Sequence, residues 1–119
     1  MVEFVSPRVS LLPRTRVLLE DGTNELIFSP ASLWEVAIKQ ASRRVGFPFD
    51  AGELHRALLL HHFTEMPVTG THAVYIARLP LLHKDPFDRI LIAQAIIEGV
   101  ILLTPDKVMG LYSRLIQRA

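Results

Sequence analysis

The chain of 119 residues contains no cysteine. Disulfide bonds, thiolate metal sites and cysteine nucleophiles are therefore excluded from its stability and its chemistry. An excess of charge of one sign is also missing, because 13 basic residues stand against 12 acidic ones for a formal net charge of +1. Such a balance neither requires nor excludes a polyanionic partner. Charge alone thus gives no support to nucleic-acid binding.

Long apolar runs and familiar catalytic signatures are absent as well. The longest apolar region, residues 90–103, is interrupted by Gln94, Glu98 and Gly99, whereas a membrane helix needs about 18 unbroken apolar residues. The opening MVEFVSPRV carries charge and proline where a secretory signal would be continuously apolar. No glycine-rich phosphate loop or Ser/His/Asp hydrolase pattern occurs. We therefore expect a cytoplasmic protein that has no membrane partner.

What the chain does have is apolar side chains, which make up 50% of its residues. That content suffices for one sizeable core, so we expect a single domain over residues 1–119. Turn residues separate alternating strand and helix patterns. The predicted strands are residues 25–29, 63–68, 100–103 and 114–116, and the predicted helices are 13–21, 29–44, 51–62, 71–79, 86–98 and a short one from 107. This alternation predicts an α/β fold with a parallel sheet covered on both faces.

Residues 81–109 combine acidic side chains with this pattern. A polar turn carries Asp85 and Asp88, an apolar helix and a short apolar strand follow, and Asp106 comes just after the strand. Glu35 lies near the start of the helix that follows an earlier strand. In a parallel sheet these positions can meet at the rim formed by the carboxyl ends of the strands, where ligands usually bind.

Several carboxylates at one rim imply a cation. Two carboxylates about 4 Å apart repel each other by roughly 4 kcal/mol at an effective dielectric constant near 20. Oxygen ligands, without cysteine or a suitably spaced histidine pair, suit Mg²⁺ or Mn²⁺ rather than Zn²⁺. Such ions serve phosphodiester hydrolysis, because they activate water and neutralise phosphoryl oxygens.

Each acid also has a purely structural interpretation. Asp85 fits the N-cap of the following helix, and we take capping as its main role. Glu35 could complete a capping box with Ser32 or form an i,i+4 ion pair with Lys39. Asp106 could cap the last helix. Taken singly, each acid is better explained by structure, and only their arrangement favours a metal site.

Other polar and aromatic residues are weaker candidates. His61 and His62 are adjacent and point about 100° apart on a helix, so we expect both to be surface residues. His83, Lys84 and Arg89 could contact RNA phosphate, although an exposed polar rim explains them about as well.

Two aromatic residues flank the acids in the sequence. Trp34 and Phe87 could stack a nucleobase, but aromatic residues beside apolar helix positions usually lie in the core. We therefore expect both in the core.

Two longer segments carry a family resemblance. SPASLWEVAIK, followed by LPLLHKDPFDRILIAQAIIEGVILLTPD, resembles the PIN-domain toxins of bacterial toxin–antitoxin pairs, the VapC-like group, over residues 13–106. The resemblance implies a PIN-like three-layer α/β sandwich and a Mg²⁺-dependent endoribonuclease. It further implies a cognate antitoxin protein that inhibits the enzyme, and we expect a homodimer. It carries over Glu35, Asp88 and Asp106 as catalytic metal-site residues, with Thr104 as a supporting hydroxyl and Asp85 within the same motif.

The sequence departs from this family at its beginning. Members open with a strand that ends in an aspartate, in a run such as LLDTHVLLW, and no such run occurs here. The alignment predicts that MVEFV belongs to the end of the first helix and that the central first strand is missing. Glu3 could in principle replace the lost acid, but its predicted place in a helix argues against this. Unpaired strands would then recruit another chain, and Mg²⁺ would bind weakly. We expect either a later start than that of the active chain, or a non-catalytic binding or interaction module.

Overall fold

The computed structural model describes residues 2–4, 20–42, 50–82, 84–104 and 112–118. Within these ranges five strands form one sheet in which every pairing is parallel. The strands are β1 (Val2–Phe4), β2 (Leu26–Phe28), β3 (Thr64–Glu65), β4 (Ile101–Thr104) and β5 (Ile116–Arg118). Their order across the sheet is β3-β2-β1-β4-β5. The predicted α/β fold with a parallel sheet is confirmed.

The strand order reverses at β1. The chain places β2 and then β3 on one side of β1, and β4 and then β5 on the other. Such a reversal is a topological switch point, and the carboxyl ends of the strands beside it are the usual ligand position in parallel sheets.

The central strand is present, so the expectation that it is missing was wrong. Val2 lies opposite both Leu26 and Ile101, and Glu3 lies opposite both Ile27 and Leu102. The facing backbone groups of β2 and β4 need hydrogen-bond partners inside the sheet, and the Val-Glu-Phe segment supplies them. Glu3 is therefore a strand residue rather than a helical one. The exposed inner strand edges expected to recruit another chain are already paired.

Helix α1 spans Pro30–Ala41 and begins where β2 ends. The Ser29 hydroxyl accepts a hydrogen bond from the Ala31 amide at 3.1 Å, and Pro30 occupies the first turn. Ser29 is thus the cap, and the capping box of Ser32 with Glu35 does not form. The helix ends three residues before the predicted limit of 44.

Helices α2 (Ala51–Leu60) and α3 (Gly70–Tyr75) follow, with a 3₁₀ turn at Ile76–Arg78. Asp50 caps α2, as predicted, by accepting a hydrogen bond from the Glu53 amide at 2.8 Å. Thr69 caps α3. These caps satisfy amide groups that have no partner inside the helix. Helix α2 starts at the predicted residue, whereas α3 starts one residue before the predicted 71 and gives way to the 3₁₀ turn after Tyr75.

Helix α4 (Pro86–Glu98) is the centre of the core. Its residues 91–95 are all buried, and they pack with Ile27, Val100 and Leu102 among others. Each large apolar side chain buried there contributes roughly 2 kcal/mol. Gly99 ends the helix with φ +65°, a left-handed conformation that suits glycine. The predicted helix 86–98 is confirmed residue for residue.

Short and terminal elements differ most from expectation. Strand β3 covers two residues, both exposed, where residues 63–68 were predicted. Strand β5 lies two residues later than the predicted 114–116. The short helix predicted from 107, most of the helix predicted at 13–21, Asp106 and His83 lie outside the described residues. None of the helices in the described ranges is long and apolar enough to cross a membrane.

Candidate active site

The carboxyl ends of the strands and the starts of two helices define one rim. Helix α1 leaves this rim after β2, and α4 starts there because its other end leads into the opposite end of β4. Glu35 on α1, Asp88 on α4 and Thr104 at the end of β4 are therefore all carried by elements that meet this rim. The switch point between β1 and β4 lies at the same rim.

Asp85 makes the two hydrogen bonds expected of a cap. Its Oδ1 atom accepts from the amides of Phe87 at 2.9 Å and Asp88 at 3.1 Å. Both bonds fix the backbone that carries Asp88. The capping interpretation of Asp85 is confirmed, and through this turn the residue positions its neighbour.

Asp88 is the third residue of α4 and the only acid in its first turn. It is partly buried. The positive end of the helix dipole favours the ionised carboxylate at this position. An anionic oxygen donor is thus held on the most buried helix of the described chain.

Glu35 is paired with a lysine. The Lys39 Nζ atom lies 3.5 Å from Glu35 Oε2, and the Glu35 side chain is 29% exposed. The i,i+4 ion pair predicted from the sequence is confirmed. Such pairs contribute under about 1 kcal/mol, so a divalent cation could displace the lysine from the carboxylate.

Thr104 is the last residue of β4 and is 2% exposed. It therefore lies at the end of β4 that meets the rim. Asp106, two residues later, lies outside the described residues, and its place relative to Glu35 and Asp88 stays a prediction.

Contact between two aromatic rings shows that the starts of α1 and α4 meet. The rings of Trp34 and Phe87 are 5.0 Å apart, centroid to centroid, at an interplanar angle of 80°. Trp34 precedes Glu35 and Phe87 precedes Asp88, so each acid follows one member of a touching pair. This contact brings the segments that carry the two predicted ligands together.

Trp34 lies on the surface, so the expectation that it belongs to the core was wrong. Its side chain is 63% exposed, whereas Phe87 is partly buried. Strands β2 and β3 have only three and two residues, which is little surface for a helix of 12 residues. Ala31 packs in the core. One turn later along α1, the Trp34 indole packs against the Phe87 ring rather than against the sheet.

A groove of about 560 Å³ opens beside this aromatic pair. Its lining includes Pro30 and Trp34 from α1, Val68 from the loop before α3, and Phe87 and Ile90 from α4. Every lining residue is apolar. The sequence pattern did not reveal this groove, because its wall comes from three segments that are distant in the chain.

Arg89 has a structural role that neither sequence interpretation, a phosphate contact or an exposed polar residue, had predicted. Its guanidinium donates hydrogen bonds to the carbonyl oxygens of Ile76, Leu79 and Pro80 at 3.1 to 3.4 Å. A further bond at 3.3 Å goes to the Tyr112 hydroxyl. The Ile76 carbonyl also accepts from the Leu79 amide at 3.1 Å, which closes the 3₁₀ turn, so the guanidinium binds that turn and the two residues after it. Arg89 thus joins α4 to the segment after α3.

His72 is a second structural residue that the sequence interpretation missed. It is 1% exposed. Its Nδ1 atom accepts from the Thr69 amide at 2.9 Å, and Nε2 lies 2.8 Å from Glu98 Oε1. Because Nδ1 accepts, Nε2 carries the proton and donates to the carboxylate. The Thr-x-x-His spacing of a capping box was the available signal.

The residues at the rim suit a magnesium-type ion. Mg²⁺ is commonly bound through one or two carboxylates together with water and substrate oxygens, and Glu35 and Asp88 would be the two carboxylates here. Among the described residues no three acidic or histidine side chains come together as a metal-binding group. The predicted third acid, Asp106, is not among them.

Two acids whose pKa is lowered lie in turns and caps. Hydrogen bonds from the Thr23 hydroxyl and amide lower the pKa of Asp21. The Glu53 amide and then the Gln40 side chain lower the pKa of Asp50. Both acids are fully exposed, and both shifts follow from local hydrogen bonding that stabilises a loop or a helix start.

Comparison with known proteins agrees with this architecture. No curated protein matches the chain. The family model of the PIN domain matches residues 8–114, and PIN domains are typically nucleases that depend on divalent metal ions. The match covers most of the chain, including both helices that meet at the rim, and the chain therefore belongs to the PIN-domain family.

Proposed function

We propose that this protein is a metal-dependent endoribonuclease, a VapC-like toxin of a type II toxin–antitoxin pair. The observation that carries the proposal is the contact between Trp34 and Phe87, which joins two helix starts that each bear an acid in a PIN domain. Glu35, Asp88 and Asp106 are the proposed ligands of Mg²⁺ or Mn²⁺. RNA is the proposed substrate.

The side chains divide the work of phosphodiester hydrolysis. When bound, the metal ion supplies a water of lowered pKa and neutralises charge on the phosphoryl oxygens. Asp88 and Glu35 would hold the ion through their carboxylate oxygens, and Thr104 is the supporting hydroxyl that the resemblance implies. Hydrolysis would leave the hydroxyl of the water on phosphorus and its other proton on the ribose oxygen that departs.

Asp88 differs from Asp85 in what it can give the site. The Oδ1 atom of Asp85 accepts two hydrogen bonds that cap the helix, so this residue mainly stabilises the turn. Asp88 begins the helix under the favourable dipole, and its carboxylate is the better ligand. Asparagine caps helices about as well as aspartate does, so the two roles can be separated by mutation.

Asp88→Asn should abolish cleavage of single-stranded RNA in the presence of Mg²⁺ or Mn²⁺. Loss of a group that only orients a ligand costs about 10- to 100-fold, so loss of a ligand should cost more than about 100-fold. Asp85→Asn is the matched control, since it removes the same charge from the same turn and keeps the cap. Cleavage is measured as initial rate on a labelled oligonucleotide. Equal rates for Asp88→Asn and the unchanged chain would disprove the proposal.

One observation favours a second function, that of a non-catalytic binding or interaction module. The amine of Lys39 already neutralises Glu35, and this sequence has no aspartate at the end of its first strand. Lys39→Ala distinguishes the two functions. In a nuclease it should tighten Mn²⁺ binding measured by calorimetry, whereas a module that binds no Mn²⁺ before or after the change has lost the chemistry.

A toxin of this type needs a protein that holds it inactive. We propose a cognate antitoxin as partner, a homodimer as the active form, and the cytoplasm as the place of action. Support comes from the PIN-domain match and from the residues that resemble VapC-like toxins. Light scattering on the purified chain measures the mass of the assembly, and a monomeric mass throughout the micromolar range would exclude the homodimer.

A further inference from the structure

Trp34 is a large aromatic side chain left in water. It is 63% exposed although it borders an apolar groove and touches the edge of Phe87. Its contact with the ring edge fixes the orientation of the indole, while much of its surface stays accessible. A planar ring can stack on such a surface.

The groove beside Trp34 has the size of a small-molecule site. Its volume of about 560 Å³ lies within the range of roughly 300 to 1,000 Å³ that is usual for ligand pockets. No charged or polar residue lines it. A phosphate would find no cationic side chain in this lining, whereas the uncharged face of a nucleobase would find apolar and aromatic surface.

The position of the groove relative to the acids points to one ligand. Trp34 is followed directly by Glu35 on α1, and Phe87 is followed directly by Asp88 on α4. The groove therefore lies between the two helix starts that carry the proposed metal ligands, although neither acid is part of its lining. One nucleotide joins a flat base to a charged phosphate over a short span, so it can reach both.

We propose that the groove binds one unpaired base of the RNA and that Trp34 is the residue on which this base stacks. The inference rests on the proposed function for its ligand, and it adds a subsite that positions the scissile phosphate. The base must be unpaired, because the faces of a paired base are covered by its neighbours in the duplex. Trp34 is accordingly a positioning residue.

Trp34 can be observed directly, because it is the single tryptophan of the chain. Short single-stranded RNA is titrated into the protein in EDTA, which prevents turnover, and tryptophan emission is recorded. We expect saturable quenching. Oligonucleotides with one abasic nucleotide placed in turn at each position should include one that binds without the quenching.

The energetic test uses labelled RNA and fluorescence anisotropy. Stacking of one base on an aromatic side chain contributes about 1 to 3 kcal/mol, so Trp34→Leu should weaken binding by about 5- to 150-fold. Trp34→Phe should recover most of the affinity. Leu60→Ala is the control, since Leu60 is a 76% exposed apolar residue at the end of α2 that does not line the groove. Circular dichroism checks that every variant folds.

The outcomes separate this inference from the proposed function. Cleavage with unchanged tryptophan emission, and with full affinity in Trp34→Leu, would overturn the subsite and leave the nuclease intact. Quenching by RNA without cleavage would support the subsite and refute the nuclease. If emission changes with protein concentration alone while the mass doubles, a second copy covers the groove and the inference fails.

Discussion

The guanidinium of Arg89 binds three chain segments together. It reaches the carbonyl oxygens of Ile76, Leu79 and Pro80 and the Tyr112 hydroxyl. The Tyr112 hydroxyl in turn accepts from the Leu82 amide at 3.1 Å. A side chain that satisfies several carbonyls at once is hard to replace, because its loss leaves partly buried acceptors without a donor.

Arg89→Met should lower the free energy of unfolding by about 2 kcal/mol, the range for hydrogen bonds to charged groups and for stranded acceptors. Arg89→Lys should retain only part of the lost stability, since one ammonium group cannot reproduce the planar arrangement of guanidinium donors. Urea denaturation measures the change. Arg78→Met, at an exposed position of the neighbouring 3₁₀ turn, should change stability by less than about 0.5 kcal/mol. Equal stability of Arg89→Met and the unchanged chain would contradict the anchoring role.

At the level of elements, α1 and α2 are linked through one side-chain bridge. Gln40 near the end of α1 donates to Asp50 Oδ2 at 2.7 Å and accepts from the Ala51 amide at 2.8 Å. Asp50 is also the cap of α2. The end of one helix and the start of the next are therefore stabilised by the same carboxylate.

The stability that Asp50 provides should depend on pH. Its pKa in the folded chain is lowered from 3.8, first by the Glu53 amide and then by Gln40. Its contribution is therefore complete above 3.8 and is lost as the pH falls through the lower folded value. Asp50→Ala should lower the Tm at pH 7, and the difference from the unchanged chain should shrink in acid. Asp50→Asn, which still caps, should lower it less. A difference that persists unchanged at the acid end would contradict the assignment.

The end of α4 depends on the left-handed conformation of Gly99. At φ +65° a side chain is strained even though a Cβ would meet nothing within 4 Å. Gly99→Ala should therefore cost about 1 kcal/mol of stability in thermal or urea unfolding. Gly70→Ala, at the start of α3 where φ is not positive and a Cβ also meets nothing within 4 Å, should be neutral or slightly stabilising. Destabilisation of the two variants by equal amounts would show that φ at Gly99 is unimportant.

At the scale of the whole molecule, the sheet depends on β1. One strand on each side, β2 and β4, pairs with it. Loss of β1 would therefore divide the sheet into two separate pairs of strands. Strand residues at such a centre have little freedom, because each backbone group serves one neighbour or the other.

Glu3→Pro should destabilise the domain by about 3 kcal/mol or more, because proline cannot donate a ladder hydrogen bond. Glu25→Pro is the control, since Glu25 is exposed and precedes β2. Chemical denaturation and light scattering are the measurements, and we expect association of Glu3→Pro through the freed strand edges. If the Glu3→Pro chain were as stable as the control, the assignment of β1 to the centre of the sheet would be wrong.

The sequence predicted those parts of the fold that short-range chemistry decides. Asp50 and Asp85 were recognised as caps, and α4 was placed without error, because aspartate, proline and glycine mark helix ends locally. β1 and Trp34 were misplaced for the opposite reason. Whether Val2–Phe4 form a strand depends on partners far along the chain, and the exposure of Trp34 depends on how little sheet lies beneath α1.

The candidate site was predictable only in its components. The sequence identified Glu35 and Asp88, and the structure places them on helices whose starts touch. The sequence contained no sign of the groove or of the direction in which the Arg89 side chain points, since both arise from packing between distant segments. Asp106 stays a prediction.

The burial of α4 has a consequence for how the rim would meet a ligand. Five successive residues of this helix are enclosed in the core, and its first turn is fixed by Asp85. Asp88 is thus preorganised: binding need not spend free energy on ordering the carboxylate. Glu35 lies on the more exposed α1, beside the Lys39 side chain, which is 44% exposed. We therefore expect the binding of a ligand at the rim to require less ordering of Asp88 than of Glu35.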